Sequence, residues 1–209
     1  MQTTESICQA LMKGRAAEVK QLVEKALAEG VQPVKVLNEG LLQGMGIIGD
    51  KFKKNEVYVP EVLIAARAMK AGMEVLKPKL VAAGIQPLAT AVIGTVKGDL
   101  HDIGKNLVGM MLEGAGLKVV DAGIDVTPEK FVQLAKENKA GVIGVSALLT
   151  TTMTNMKLVV DAVKESGIVC KVMIGGAPVT QAYSDEIGAS GYAPDAASAA
   201  DLAKKLCAA

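Results

Sequence analysis

The chain has 209 residues, half of them apolar, with 23 basic and 22 acidic side chains. That balance suits a folded chain with a sizeable core, and it excludes a nucleic-acid binder working by bulk positive charge, an acidic tail and a disordered segment. Aromatic residues make up 2% of the sequence and Trp is absent, which argues against base-stacking platforms.

The first residues, Met1-Gln2-Thr3-Thr4-Glu5-Ser6, have neither the basic region nor the apolar stretch of a signal peptide. No apolar run approaches the ~20 residues of a membrane span, so a cytoplasmic protein without membrane contact is expected. Cys8, Cys170 and Cys207 are widely separated and odd in number. They support neither a disulfide framework nor a thiolate zinc site.

From Thr4 to about Val81 the pattern is helical, with apolar stripes such as Val19, Leu22, Val23, Ala26 and Leu27. Gly30 followed by Pro33 ends one helix and starts the next, and Pro60 opens another after Lys53-Lys54-Asn55-Glu56. Four helices are predicted, near 4–13, 15–29, 33–53 and 60–81, forming a small bundle over residues 1–87. Gly44, Gly46 and Gly49 within the third each disfavour helix by about 1 kcal/mol relative to Ala, so a close approach of helix or ligand is expected there. Lys77-Pro78 and Ala83-Gly84-Ile85-Gln86-Pro87 break the periodicity and read as a linker.

Residues 88–209 alternate short apolar runs with amphipathic stretches. Strands are predicted at 89–96, 118–122, 140–146, 170–174 and 189–192, and helices near 104–116, 128–138, 152–166, 179–187 and 195–207. Continuous apolar strands separated by helices imply an α/β domain, a five-stranded parallel doubly wound sheet of flavodoxin or Rossmann type. Such sheets bind ligands beyond the carboxyl ends of their strands, which singles out the loops after Val96, Val145 and Ile174.

The first of these loops runs Gly94-Thr95-Val96-Lys97-Gly98-Asp99-Leu100-His101-Asp102-Ile103-Gly104, and His101 is the only histidine of the chain. A histidine at a strand-to-helix crest, with Asp99 placed to accept its second ring hydrogen, has the form of a metal ligand with a carboxylate behind it. No second His and no Cys cluster completes an ordinary zinc site, which suggests a metal already held by a macrocycle. Gly104 would let a large ligand approach the backbone. The second loop offers Ser146, Thr150, Thr151 and Thr152, and the third, Gly175-Gly176, again removes side chains at a strand end.

Asp99-x-His101-x-x-Gly104, then 41 residues to Ser146-x-Leu148, then 26 to Gly175-Gly176, resembles the signature of cobalamin-binding domains in methionine synthase and in the corrinoid proteins of anaerobic methyltransferase systems. The resemblance implies cobalamin bound with its own benzimidazole base off the cobalt and His101 on it, with Asp99 bonded to the other ring nitrogen. Thr152 holds the position of the serine that completes the methionine synthase relay. Ser146 and Leu148 would line the slot for the nucleotide tail, with room left by Gly104, Gly175 and Gly176. Gly98, Asp102, Ile103, Thr150 and Tyr192 complete the implied cofactor contacts. In the first half, Gly49-Asp50-Lys51-Phe52 and Val59-Pro60-Glu61 resemble the helical cap of methionine synthase, with Phe52 and Val59 at its two corrin-covering positions.

A methyl carrier cycling between Co(I) and methyl-Co(III) is thereby implied, one subunit of a multi-component methyltransferase. Its partners would be a donor-specific methyltransferase, an acceptor methyltransferase using folate or a thiol, and a reductive activator. A mutase cobalamin subunit and a cobalamin-dependent sensor share the cofactor domain. The mutase usually lacks the cap; the sensor would add a DNA-binding module, and its cap carries a Trp and a Glu-His pair absent here.

Overall fold

The structure, a computed structural model, describes residues 2–208, apart from the side chain of Gln2; Met1 and Ala209, the outer ends of the two expected domains, lie outside the described residues. The chain divides into two compact units, Met1–Gln86 and Pro87–Ala209.

The first unit is helical: α1 (Gln2–Met12), α2 (Ala16–Ala28), α3 (Pro33–Lys35), a π-helical stretch (Val36–Leu42), α4 (Gln43–Lys53) and α5 (Val59–Ala82). Val19, Val23 and Ala26 of α2 and Val62, Ala65, Ala68, Met69 and Leu76 of α5 are buried at helical spacing. The predicted helix 33–53 is therefore one helical run whose middle is wound more loosely. A π stretch preserves the apolar periodicity over so short a span, so the sequence pattern does not reveal it. Close helix packing accounts for one expected glycine: a Cβ on Gly44 would lie 3.0 Å from Leu11 Cδ2 and 3.3 Å from the Cys8 carbonyl oxygen. Gly40 does the same, its Cβ position lying 3.0 Å from Ile7 Cγ2. Gly46, by contrast, faces open space. At the start of α5 the Glu61 carboxylate accepts a hydrogen bond from the Tyr58 N–H at 3.1 Å, satisfying a free helix-end donor.

The second unit alternates β1 (Thr90–Thr95), α6 (Ile103–Gly114), β2 (Lys118–Asp121), α7 (Pro128–Asn138), β3 (Val142–Ser146), α8 (Thr150–Met153), α9 (Asn155–Glu165), β4 (Lys171–Gly175), α10 (Gln181–Ile187), β5 (Gly191–Tyr192) and α11 (Ala196–Ala208). All strand pairs are parallel in the order β2-β1-β3-β4-β5, the flavodoxin-like arrangement. One face buries Val92, Ile143, Val145, Val172 and Ile174 against Phe131, Val132, Met156, Val159, Val160 and Ile187 of α7, α9 and α10. Gly94 makes this possible at β1, since a Cβ there would lie 2.7 Å from the Phe131 ring. On the opposite face Gly109 of α6 lies against Ile93, its Cβ position 2.8 Å from Ile93 Cδ1.

The predicted helix 152–166 starts earlier and is broken, α8 ending at Met153 and α9 beginning at Asn155. The three cysteines are free thiols. Burial, with Cys207 nearby, pushes the Cys170 thiol up to about 11, which leaves it unreactive at neutral pH. No helix of the described residues is long and apolar enough to cross a membrane.

Candidate functional site

The strand order reverses between β1 and β3, and the loops leaving their carboxyl ends meet there. The β1–α6 loop is held on its strand by Thr95, whose buried hydroxyl donates to the His101 carbonyl at 2.8 Å. Gly98 turns the chain with φ +83°, a conformation that residues with a Cβ rarely adopt. Asp99 then faces inward, 0% exposed, and His101 outward, with 52% of its side chain exposed.

Asp99 is the hub. Its Oδ1 accepts from the His101 ring, at 2.8 Å from Nδ1, and from the His101 N–H at 3.1 Å. Its Oδ2 accepts from the Leu148 N–H at 2.8 Å, from the Leu149 N–H at 3.4 Å and from the Thr152 hydroxyl at 2.7 Å. Burial alone would raise the carboxyl's pKa, but the bonds from Thr152, Leu148 and His101 outweigh it and hold Asp99 well below the ordinary carboxylate range. A buried carboxylate fully supplied with donors stays ionised and keeps the proton of His101 on Nδ1. The Thr152 hydroxyl sits on Asp99 because α8 begins directly after Leu149, which brings its third residue back over the first loop.

His101 Nε2 has no hydrogen-bond partner among the described residues, and its loop and the second loop expose several apolar side chains. Leu100 is 67% and Ile103 79% exposed, and Leu148 and Leu149 of the second loop are also exposed. A Cβ on Gly104 would meet nothing within 4 Å. Among the described residues no group of three or more His, Cys, Asp or Glu could hold a metal ion. One free imidazole nitrogen on an open crest with exposed apolar side chains fits a metal that arrives in a flat macrocycle and does not fit a bare ion.

The other predicted residues are placed as follows. Asp102 is exposed at the start of α6, its Oδ2 accepting from Asn106 Nδ2 at 3.1 Å. Ser146 ends β3, half-buried, and Thr150 is exposed at the first position of α8. A Cβ on Gly175 would lie 3.0 Å from the Ala193 carbonyl oxygen, and one on Gly176, where φ is +130°, would collide with the carbonyl of Ala147. Backbone therefore fills the space that these two glycines open on their Cβ side. Tyr192 is half-buried on β5 and packs against the apolar cluster containing Val172 and Ile174. Phe52 in α4 and Val59 at the start of α5 are half-buried in the helical unit.

Three groups escaped the sequence reading. Leu100 and Leu149 carry no motif and are marked only by their exposure. Lys105 is 4% exposed and donates to Asp121 at 2.5 Å and to Asn106 Oδ1 at 2.7 Å, fastening the first turn of α6 to the end of β2. Asp125 and Asn155 bind the backbone of the first loop.

A family model for the B12 binding domain matches residues 89–201, and a second B12 binding domain model matches residues 3–77. The sequence is 40% identical over 211 residues to a corrinoid protein of Desulfitobacterium hafniense, covering 99% of this chain and 98% of that one. It is 47% identical over 198 residues to trimethylamine corrinoid protein 1 of Methanosarcina mazei, covering 93% and 89%. Among solved structures, a chain of the methanol:cobalamin methyltransferase complex from Methanosarcina barkeri matches with a TM-score of 0.88 at 31% identity, over 99% of this chain and 80% of that one.

Proposed function

This chain belongs to the B12-binding corrinoid protein family, and from that premise we propose that it carries methyl groups between the components of a methyltransferase system, with His101 as the lower ligand of cobalt. The observation that supports this most directly is the imidazole of His101, bonded through Nδ1 to an ionised, buried Asp99 while Nε2 stands free on a crest that exposes several apolar side chains. When bound, the corrinoid supplies the Co(I) and methyl-Co(III) states between which a methyl group is taken up and handed on.

The protein's own residues orient, tune and shield. Asp99 fixes the tautomer of His101 and presents Nε2. Thr152 and the Leu148 amide keep the negative charge on Asp99, which would hold the His101 proton on Nδ1 and leave Nε2 available to the metal. Leu100, Ile103, Leu148 and Leu149 offer an apolar seat for a macrocycle and exclude water beneath it. Phe52 and Val59 are assigned to the upper face of the ring on the resemblance of the Gly49–Glu61 stretch. The names of similar proteins, a trimethylamine corrinoid protein and a methanol:cobalamin methyltransferase complex, support methyltransferase partners for donor and acceptor. A reductive activator would restore cobalt that has lost its reduced state.

The test is electron paramagnetic resonance of the protein loaded with cob(II)alamin. Nitrogen splitting from a protein imidazole is expected in the wild type and absent in His101→Ala. Splitting that persists in the variant, or that comes from the cofactor's own base, refutes the ligand assignment.

A further inference from the structure

The backbone carrying Asp99 is fastened by residues that belong to other loops. The Gly98 N–H donates to Asp125 Oδ1 at 2.7 Å, and the Asp125 N–H donates back to the Asp99 carbonyl at 3.1 Å. From the other side Asn155 Nδ2 donates to the Lys97 carbonyl at 2.8 Å. Asp125 itself has φ +52°, a left-handed conformation that Asp and Asn adopt more readily than other residues with a side chain. The neighbouring Val96 and Val126 form a parallel bridge, so the reciprocal pair of hydrogen bonds lies just beyond the last paired residues of β1 and the β2–α7 loop.

This arrangement constrains more than the loop. The Asp99 carboxylate reaches the His101 ring and the Leu148 amide at once, so the backbone on both sides of Asp99 must keep one conformation. The Asp99 N–H donates to the Val96 carbonyl at 3.1 Å, and Asp125 holds the two flanking peptides through the Gly98 N–H and the Asp99 carbonyl; rotating either would move the carboxylate off one of its partners. A carboxylate accepting a backbone N–H makes a charge-assisted bond, and Asp125 supplies one to Gly98, whose missing side chain leaves its backbone more freedom than other residues have.

We propose that Asp125 is a positioning residue for the lower ligand: by holding the Gly98–Asp99 backbone it keeps Asp99 under the imidazole and His101 presented to cobalt. This rests on the reading of His101 as the ligand. Asp125→Gly and Asp125→Asn separate side chain from backbone. Glycine accepts the positive φ but lacks the acceptor; asparagine tolerates the same φ and keeps an acceptor oxygen.

In the apo-protein, amide hydrogen exchange at Gly98, His101 and Leu148 should accelerate about tenfold or more in Asp125→Gly and return close to the wild-type rate in Asp125→Asn. In the cob(II)alamin-loaded protein, Asp125→Gly should lose most of the protein-nitrogen splitting and Asp125→Asn should retain it. Unchanged exchange in Asp125→Gly, full splitting despite faster exchange, or failure of asparagine to restore both overturns the proposal. A wild-type protein without protein-nitrogen splitting sinks the ligand assignment and this proposal with it. That outcome is distinguishable from a failure of Asp125 alone, because the exchange measurement needs no cofactor.

Discussion

Replacing Thr152 by valine removes one hydroxyl from beneath Asp99 and leaves the shape of the side chain nearly unchanged. The lost bond is 2.7 Å long and ends on a carboxylate with no solvent exposure, so water cannot replace it. Hydrogen bonds to charged groups contribute about 1.5–3 kcal/mol, and Thr152→Val should destabilise the apo-protein by that amount at neutral pH. For a chain of this size the corresponding fall in Tm is roughly 3–12 °C. Thr152→Ser keeps the hydroxyl and should cost about 0.8 kcal/mol or less, the contribution of one buried methyl. The pH dependence has a definite sign. Asp99 has a folded-state pKa held well below the unfolded value of about 3.9, so its stabilisation is full above that value and is lost as pH falls through the folded-state pKa. Without Thr152 the folded-state pKa moves up toward the unfolded one. The stability gap between wild type and Thr152→Val should then stay constant from pH 7 to about pH 4 and narrow below it. Urea unfolding, followed through resolved amide signals of the parallel strands, measures the gap at each pH. A gap under about 0.5 kcal/mol at pH 7, or one that does not narrow in acid, refutes the assignment of Thr152 as a donor to ionised Asp99.

The two kinds of glycine at the strand ends should respond oppositely to alanine. Gly176→Ala forces a Cβ into the Ala147 carbonyl at φ +130° and should destabilise by more than about 3 kcal/mol, whereas Gly104→Ala meets no atom and should stabilise the apo-protein by up to about 1 kcal/mol while weakening cobalamin binding in titrations. At the buried lysine the asymmetry lies between partners. Asp121→Ala leaves the ammonium of Lys105, which is 4% exposed, with the Asn106 amide oxygen but no counter-charge, and should destabilise by about 3 kcal/mol in urea unfolding. Lys105→Met leaves only a half-exposed carboxylate and should cost about 1 kcal/mol or less.

What the sequence disclosed follows the range of the forces involved. The parallel sheet was legible because strands buried on both faces must be continuously apolar, as Val142 to Val145 are, and because helical stripes separate them. His101 and Asp99 were legible because a two-residue spacing on one loop fixes their neighbourhood locally. Thr152 is 53 residues from Asp99 and became visible only through the spaced motif. Asp125 and Asn155 have ordinary loop chemistry, and their role exists only once β1, β2 and α9 bring three loops together. Gly104 and Gly176 read alike as letters, yet one faces open space and the other a carbonyl. The π stretch at Val36–Leu42 keeps a helical apolar pattern while changing which carbonyl each amide meets, so periodicity cannot report it.

The two oxygens of Asp99 serve different loops, and that division bears on where a proton can go. Oδ1 faces the ring and amide of His101; Oδ2 is supplied by the second loop through the Leu148 amide and the Thr152 hydroxyl. Protonating the carboxylate would remove charge from every one of these bonds, so the carboxylate stays ionised and the ring keeps its proton on Nδ1. On the proposed function, Asp99 would remain ionised whether or not the imidazole is bound to the metal. The donors on Oδ2 thereby hold the tautomer of the ring that Oδ1 faces. They act from the far side of the carboxylate, and of them the Thr152 hydroxyl does so from a residue outside the apolar seat assigned to the macrocycle.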